Sequence, residues 1–312
     1  MWDRLSSRSL RMNAQQVNHL INHLVSSADN NGAWGYHSGQ SQSPEPTAWA
    51  CSALMKLGVH RPIWSRGLHW LTKVQSPDGG VPVSQEFPSP CWPTALAIIA
   101  WQTAASHGQN DFTDSIDRGV GWLLHHHGRS FPRDPTVFGH DTTLTGWPWV
   151  AGTHSWVEPT SYAILALRHA GRADYHRVRE AIRLLIDRAL PDGGWNYGNT
   201  RVYQNTLRPF PGTTGIALCA LAGEPRSPCI DGSIRYLSER LPGVRAPWSL
   251  GWGILGLSTW NACPDDAAGW LAESAARATS QVTAHTLDLA MLLQASQALS
   301  SATTAADLLG VP

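Results

Sequence analysis

The feature that most constrains the fold is a short turn that recurs along the chain. Glycine stands beside tryptophan or proline at 31–36, 77–82 and 191–197, and each of these turns closes an amphipathic segment. Apolar segments that begin near Pro-Thr or a similar pair follow the turns. Six of them can be counted: Glu45–Leu54, Trp92–Ala100, Glu158–Leu167, Pro211–Leu221, Trp248–Leu257 and His285–Leu293. Repeats of this kind predict stacked helical hairpins.

The apolar segments are typical of helices that have neighbours all round. Pro-Thr suits a helix start, because proline has no N–H to satisfy there. Alanine, glycine and serine occur on several faces, so we predict that these are inner helices. The intervening segments have one apolar stripe and one polar face, as outer helices do. They are Asn13–Ser27, Trp64–Val74, Ser115–His126, Arg177–Ala189, Ser233–Leu241 and Ala267–Ala278.

Six alternations of outer and inner helices form either an open solenoid or a closed ring. An open solenoid would expose the apolar inner helices on its concave side, which favours the ring. We therefore predict an all-α fold, an (α/α)6 toroid in which six outer helices surround a barrel of six inner ones, as one domain over residues 1–312. The N-termini of the inner helices should rim the mouth of a central cavity, where the helix dipoles favour negative charge.

Composition excludes several classes of partner. Lysine plus arginine and aspartate plus glutamate number 23 each, so no net charge attracts nucleic acid. No nucleotide-binding motif is present, and apolar stretches are interrupted by proline and glycine, which argues against a transmembrane segment. The N-terminus lacks the apolar stretch of a signal peptide, and the five cysteines form no CxxC pair. These features favour a cytoplasmic protein, with peripheral membrane contact left open.

The turn Pro-Asp-Gly-Gly-Trp at 191–195, with its upstream apolar helix, resembles the Q-W repeats of squalene–hopene and oxidosqualene cyclases. The same toroid occurs in the β-subunits of protein prenyltransferases. The resemblance spans about Asn13 to Leu293. It implies the toroid fold and an apolar, isoprenoid-like small molecule as the substrate.

The motifs that carry the chemistry of these families differ in this chain. The Asp-rich acid motif of the cyclases is absent, and His140-Asp141-Thr-Thr is its nearest likeness. Ala284-His285-Thr286 resembles the surroundings of the prenyltransferase zinc ligand, but Arg245-Ala-Pro-Trp stands where Asp-x-Cys is expected. Two of three zinc ligands are therefore missing. The thioester motif Cys-Gly-Glu-Gln and the Cys-His-Gly element of lanthionine cyclases are absent as well, so we predict no metal and no other cofactor.

A long irregular segment, Arg129–Val157, is rich in tryptophan and contains Asp141, His140 and His154. Long loops of this kind are usually functional. In one interpretation it forms the cavity mouth, where indole faces stabilise a carbocation and a carboxylate serves as the acid. In the other, its tryptophans pack as apolar bodies and plug one end of the ring.

Carboxylates also begin inner helices. Glu45 and Glu158 occupy equivalent places before Pro-Thr, where negative charge favours a helix N-terminus, and this role is the simpler one for Glu45. Glu158 follows the tryptophan-rich loop, where burial would raise its pKa toward that of a general acid. His285 and Asp288, at i and i+3, are either a pair in which the carboxylate orients the imidazole or a satisfied buried pair.

The sequence thus favours an enzyme that acts on an isoprenoid or similar apolar substrate by acid-initiated carbocation chemistry. A binding or scaffolding toroid without catalysis, and an enzyme of unrelated chemistry in the same cavity, are the alternatives. The candidate catalytic residues are Asp141, Glu158, His285 and Asp288. The candidate substrate-binding residues are Trp92, Trp147, Trp149, Trp156, Tyr162, Trp195, Trp248 and Trp252, with Trp34 and Trp49 in the same aromatic lining.

Overall fold

The computed structural model describes residues 12–280 and 284–300. Twelve α-helices lie in this part of the chain, and outer and inner helices alternate. The outer helices are α1 (Ala14–Ser26), α3 (Arg61–Val74), α5 (Thr113–His125), α7 (His176–Asp187), α9 (Pro228–Arg240) and α11 (Ala267–Thr279). The inner helices are α2 (Pro44–Lys56), α4 (Pro93–Ser106), α6 (Val157–His169), α8 (Pro211–Ala220), α10 (Pro247–Thr259) and α12 (Thr286–Ser300).

The six inner helices form a closed ring. Each inner helix packs against the next one along the chain, from α2 through to α12, and α12 packs back against α2. The predicted toroid fold is therefore confirmed. The N-terminal stretch, from which we argued that no signal peptide is present, and the two ends of the predicted domain lie largely outside the described residues.

The two layers differ in burial as the sequence pattern predicts. On α4, twelve consecutive residues from Pro93 to Ala104 are buried, so this helix is enclosed on every side. On α7, the buried residues form a single stripe that faces the ring. The outer helix α9 begins at Pro228, five residues before the predicted start at Ser233, because a proline in the first turn extends the helix ahead of its apolar stripe.

Small residues allow two inner helices to pack closely. A Cβ atom at Gly215 on α8 would lie 2.1 Å from the carbonyl oxygen of Trp252 on α10, and one at Gly256 would lie 2.7 Å from the Cα of Gly215. Any larger side chain at these positions would therefore force the two helices apart. These two glycines therefore allow the close packing of α8 and α10 within the ring.

The Pro-Thr motif does more than start a helix. In four repeats, the threonine Oγ1 at the start of the inner helix accepts a hydrogen bond from a backbone N–H in the preceding turn. The pairs are Trp34 with Thr47, Val81 with Thr94, Trp147 with Thr160 and Trp195 with Thr214, at 2.8–2.9 Å. Each threonine thus latches the turn to the helix that the turn precedes.

The loops contain two short antiparallel hairpins, β1 (Val81–Pro82) with β2 (Pro90–Cys91) and β3 (Arg201–Val202) with β4 (Asn205–Thr206). The long segment before α6 is tied to itself by a bridge between Arg129 and His154. A second bridge, between Phe138 and Val202, ties it to β3. Within the described residues, no helix has the length and apolarity needed to cross a membrane.

Candidate active site

The ring places the first turns of its inner helices around one mouth. Polar and aromatic side chains from five of these first turns lie at this end, because parallel inner helices begin at the same end of the barrel. They are Glu45 on α2, Glu158 on α6, Thr213 on α8, Trp248 on α10 and Asp288 on α12. The positive ends of the helix dipoles also converge here and favour the carboxylates.

An aromatic cage lies next to these carboxylates. We define it as Trp49, Trp92, Trp149, Tyr162, Trp248 and Trp252. Their rings meet mostly edge to face, with centroids 5.3 Å apart for Trp49 and Trp252 and 4.9 Å apart for Trp92 and Trp149. Trp49 and Trp252 are buried, whereas Trp92, Trp149 and Trp248 are partly exposed. The cage is thus open on one side.

Glu45 is a buried carboxyl group at the rim of the cage. Tyr36 Oη donates a hydrogen bond to its Oε2 at 2.7 Å. Burial raises the pKa of Glu45 to about 7; the Tyr36 hydrogen bond opposes that shift, and the nearby charge of Glu158 adds to it. Glu45 therefore exchanges a proton close to neutral pH.

Glu158 is the second carboxylate of the rim. Its Oε1 accepts a hydrogen bond from Thr213 Oγ1 at 2.9 Å. Burial raises the pKa of Glu158, and the Thr213 hydrogen bond acts in the opposite direction, because it favours the charged form. The charges of both glutamates also add to the effect of burial in raising the pKa of the Tyr162 hydroxyl between them.

His285, just before α12, and Asp288, in its first turn, complete the rim. The His285 ring packs against His37 at a centroid distance of 4.8 Å and against Tyr36 at 5.8 Å. Burial raises the pKa of Asp288, which also accepts a hydrogen bond from the Trp248 backbone N–H. Burial lowers the pKa of His285, and the Asp288 charge opposes this. The two side chains thus interact through charge, while His285 Nδ1 has no hydrogen-bond partner among the described residues.

Three tryptophans from the sequence-predicted lining lie elsewhere. Trp34, Trp147 and Trp195, which we call the turn tryptophans, are buried between the two helix layers. Each indole Nε1 donates to the carbonyl oxygen of a leucine near the end of an outer helix, namely Leu24, Leu123 and Leu185, at 2.7–3.0 Å. The sequence signal for this structural position was a tryptophan one or two residues after a glycine of the turn and ahead of the latch threonine.

Asp141 and Trp156 also lie outside the cage. The Asp141 carboxylate accepts hydrogen bonds from the backbone N–H and hydroxyl of Thr143, and these bonds lower its pKa. The Asp141 N–H donates to Asp187 at the end of α7, so none of its hydrogen bonds reaches the rim. Trp156 precedes α6 and packs on His154 at a centroid distance of 4.4 Å.

Sequence reasoning treated Glu45 as a helix-terminal charge and passed over its place at the rim. The sequence did contain a signal for this place at the rim, since Glu45 and Glu158 occupy the same position in two repeats and Tyr36 stands in the turn before Glu45. No group of three His, Cys, Asp or Glu side chains that could hold a metal ion occurs within residues 12–280 and 284–300.

The fold and the rim define an α/α toroid with an aromatic, carboxylate-bearing mouth.

No protein-family model matches the chain. Two curated proteins named drimenyl diphosphate synthase are similar to it in sequence. The one from Streptomyces showdoensis is 26% identical over 226 residues, which are 67% of this chain and 37% of that protein. The one from Streptantibioticus cattleyicolor is 40% identical over 58 residues, 19% of this chain and 11% of that protein. The chain thus spans little more than a third of its longer match.

Solved structures share the toroid. The type II terpene cyclase MstE from Scytonema, in complex with geranylgeranyl dihydroxybenzoate, has a TM-score of 0.55 at 15% identity, over 83% of this chain and 78% of that one. An α-1,6-mannanase of Salegentibacter has a TM-score of 0.63 at 11% identity, over 91% of this chain and 98% of that one. The resemblance to squalene–hopene-cyclase-like toroids is therefore confirmed, with type II terpene cyclases among the neighbours.

Proposed function

We propose that this chain is a terpene-cyclase-like enzyme that binds a linear isoprenoid in the aromatic cage and starts its cyclisation by protonation from Glu45. The observation that carries the proposal is a buried carboxyl group with a pKa of about 7 at the rim of a tryptophan cage. The names of the similar proteins, drimenyl diphosphate synthase and type II terpene cyclase, support the substrate class.

Protonation by Glu45 is chemically balanced. The carboxyl proton forms a new C–H bond with the electron pair of a substrate double bond, and the remaining carbon becomes a cation. The face of the partly exposed Trp248 stabilises positive charge that develops above it. The electron pair of a second double bond attacks this cation and closes the ring, and the new cation is neutralised when a neighbouring carbon loses a proton to a rim carboxylate. Glu158 fits this role: burial raises its pKa and so makes it a better proton acceptor, while the Thr213 hydrogen bond supports its charged form. Proton exchange with solvent then returns both carboxyl groups to their starting states.

The test is product formation by the purified protein. We would incubate it with squalene, geranylgeranyl diphosphate and a geranylgeranylated dihydroxybenzoate and detect cyclic products by mass spectrometry. Removal of a general acid costs about 100-fold or more in rate, so Glu45→Gln should lower kcat by at least that factor. Asp141→Asn is the matched control and should leave kcat unchanged. Full activity in Glu45→Gln would show that the initiating acid is another residue.

A second candidate function is cleavage of a glycan. It is favoured by one observation: the chain covers 98% of the mannanase, against 78% of the terpene cyclase. Two carboxyl groups, such as Glu45 and Glu158, are also what glycoside hydrolysis requires. Release of mannose from α-1,6-mannotriose, lost in both Glu45→Gln and Glu158→Gln, would favour this function over cyclisation. Saturable binding of an isoprenoid without turnover would instead indicate a binding toroid.

A further inference from the structure

A cavity lies outside the aromatic cage. It has a volume of about 310 Å³ and is formed by the segment before α6, the residue that follows α7 and the loop before β3. Its lining includes Arg129, His140, His154 and Arg188, together with Phe131 and Phe138. None of the cage residues lines it. The tryptophan-rich loop therefore builds a cavity of its own beside the mouth of the ring.

The charged and titratable side chains in this lining are all basic. Arg129 and Arg188 contribute guanidinium groups, His140 and His154 contribute imidazoles, and no aspartate or glutamate lines the cavity. Among the described residues, no carboxylate oxygen lies within 4 Å of the Arg129 side chain, which instead sits 5.9 Å from the Phe131 ring centroid. Because burial lowers the pKa of both His140 and His154, the two arginines carry the positive charge that the cavity presents beside aromatic surface.

Arg188 is the most informative residue of the lining. It is only 5% exposed. Its Nη1 donates to the Gly198 carbonyl at 2.7 Å and its Nη2 to the Asp141 carbonyl at 3.3 Å. Its Nε lies 3.5 Å from Asp187 Oδ2, yet it has no hydrogen-bond partner in the described structure. Burial lowers the pKa of Arg188 to about 10, so it stays charged at neutral pH.

A buried guanidinium with an unused N–H is costly unless a ligand or another partner completes its hydrogen bonds. The hydroxyl of Thr200, next to the lining residue Asn199, is also buried without a partner. Arginine forks match the oxygens of phosphate and carboxylate groups. Pockets of about 300 Å³ or more are of the size that holds small-molecule ligands.

We propose that this cavity binds a phosphate or carboxylate group that is joined to an apolar body. The oxyanion would lie between Arg129 and Arg188, and the apolar body would lie on Phe131, Phe138 and Leu144. Phe131 is 44% exposed at the outer edge of the lining, which leaves an apolar surface for a ligand to cover. This proposal is independent of the reaction at the rim.

Isothermal titration calorimetry with 1-naphthyl phosphate and 1-naphthoate tests the proposal. We expect one saturable site, and the tighter of the two probes identifies which oxyanion the cavity prefers. Inorganic phosphate, which has no apolar body, and 1-naphthol, which has no charge, should each bind at least tenfold more weakly than the better probe. Equal affinity for 1-naphthol and 1-naphthyl phosphate would overturn the role of the two arginines.

Variants locate the site. Arg129→Gln, at an exposed position, should weaken binding of the better probe at least tenfold, which corresponds to about 1.4 kcal/mol. Arg133→Gln is the matched control, because it removes the same charge from the same exposed segment and does not line the cavity. Its affinity should equal that of the unmodified protein.

Two further variants distinguish binding in this cavity from binding in the aromatic cage. Arg188→Gln removes a buried group that also holds Gly198, so it counts only if circular dichroism shows a folded protein. Trp248→Ala alters the aromatic cage alone and should leave probe affinity unchanged. Probe binding that survives Arg129→Gln but is lost in Trp248→Ala would place the probe in the cage and refute the second site.

Discussion

The turn tryptophans and the cage tryptophans differ in where their N–H groups are directed. Trp34 and Trp195 are fully buried, and each is fixed by two hydrogen bonds, one from its indole and one from its backbone N–H to a latch threonine. Trp49 and Trp252 are equally buried, yet neither indole Nε1 has a partner among the described residues. The same residue type thus joins the layers in one region and forms an apolar wall in the other.

This difference shows how the ring separates stability from binding. An indole that donates to a carbonyl in the last turn of an outer helix satisfies a group that has no partner within the helix itself. The cage indoles have no such constraint, and those of Trp92, Trp149 and Trp248 are partly exposed and therefore available to a ligand. We therefore expect substitutions in the turns to act on the free energy of unfolding, and substitutions in the cage to act mainly on binding.

The largest expected effect is on stability. Trp195→Ala should lower the free energy of unfolding by about 3–5 kcal/mol, because it leaves a cavity between the layers and frees the Leu185 carbonyl. Trp248→Ala, at a partly exposed cage position, should cost less than half as much. Urea denaturation followed by circular dichroism measures both. Equal losses for the two variants would remove the distinction between the regions.

The rim of the cage should show a stability effect that depends on pH. The pKa of Glu45 in the folded protein, about 7, lies above its ordinary value of 4.5, so the folded state holds this proton more tightly. Stability from this group is present below about pH 4.5 and is lost as pH rises toward 7. Glu45→Gln should therefore stabilise the protein by about 3 kcal/mol at pH 8 and change little at pH 4.

The matched control for this prediction is Glu239→Gln, at an exposed position on α9. Urea denaturation of both variants and of the unmodified protein at pH 4 and pH 8 gives the comparison. A Glu45→Gln effect that is the same at both pH values would mean that the protonation state of Glu45 does not change between pH 4 and pH 8, and would argue against its role as an acid.

The latch threonines should show an intermediate effect. Thr47→Val leaves the buried Trp34 N–H without its acceptor, which should lower the free energy of unfolding by about 1–3 kcal/mol. Thr103→Val is the control, because Thr103 is also buried but donates only to the Ile99 carbonyl within its own helix. Chemical denaturation compares the two. A larger loss at Thr103 would contradict the latch.

The smallest expected effect isolates the indole N–H. Trp195→Phe should cost about 1 kcal/mol more than Trp252→Phe, because the first variant loses the hydrogen bond to Leu185 and the second loses none. Thermal or urea unfolding of both proteins gives the difference. If Trp252→Phe proved the more damaging of the two, the Trp252 indole N–H would have a partner that matters for stability.

Much of the architecture was predictable from the sequence. The alternation of inner and outer helices follows from the spacing of apolar residues, and the helix starts follow from Pro-Thr, because both signals act within a few neighbouring residues. The closing of the ring was predicted from the apolarity of the inner helices. The start of α9 was placed five residues late, since its first turn carries a proline and little of the apolar stripe.

The candidate site was only partly predictable, and the tryptophans show why. From the sequence, Trp147 and Trp149 are equivalent members of one loop, yet the first packs between the layers and the second joins the cage. A separation of only two residues along the chain is enough to bury one indole between the helix layers and to place the other in the cage. The plug interpretation of that loop describes the position of Trp147, and the cavity-mouth interpretation describes that of Trp149.

What the sequence determined by itself is therefore the set of helices, their order and the layer to which each belongs, because local periodicity and turn chemistry specify them. Only the tertiary structure decided that Glu45 lies near enough to Glu158 to feel its charge, that the Asp141 backbone bonds to α7, and that Arg129 and Arg188 share a cavity. These pairings join residues many positions apart. They arise when the ring closes, and no local pattern encodes the distances that result.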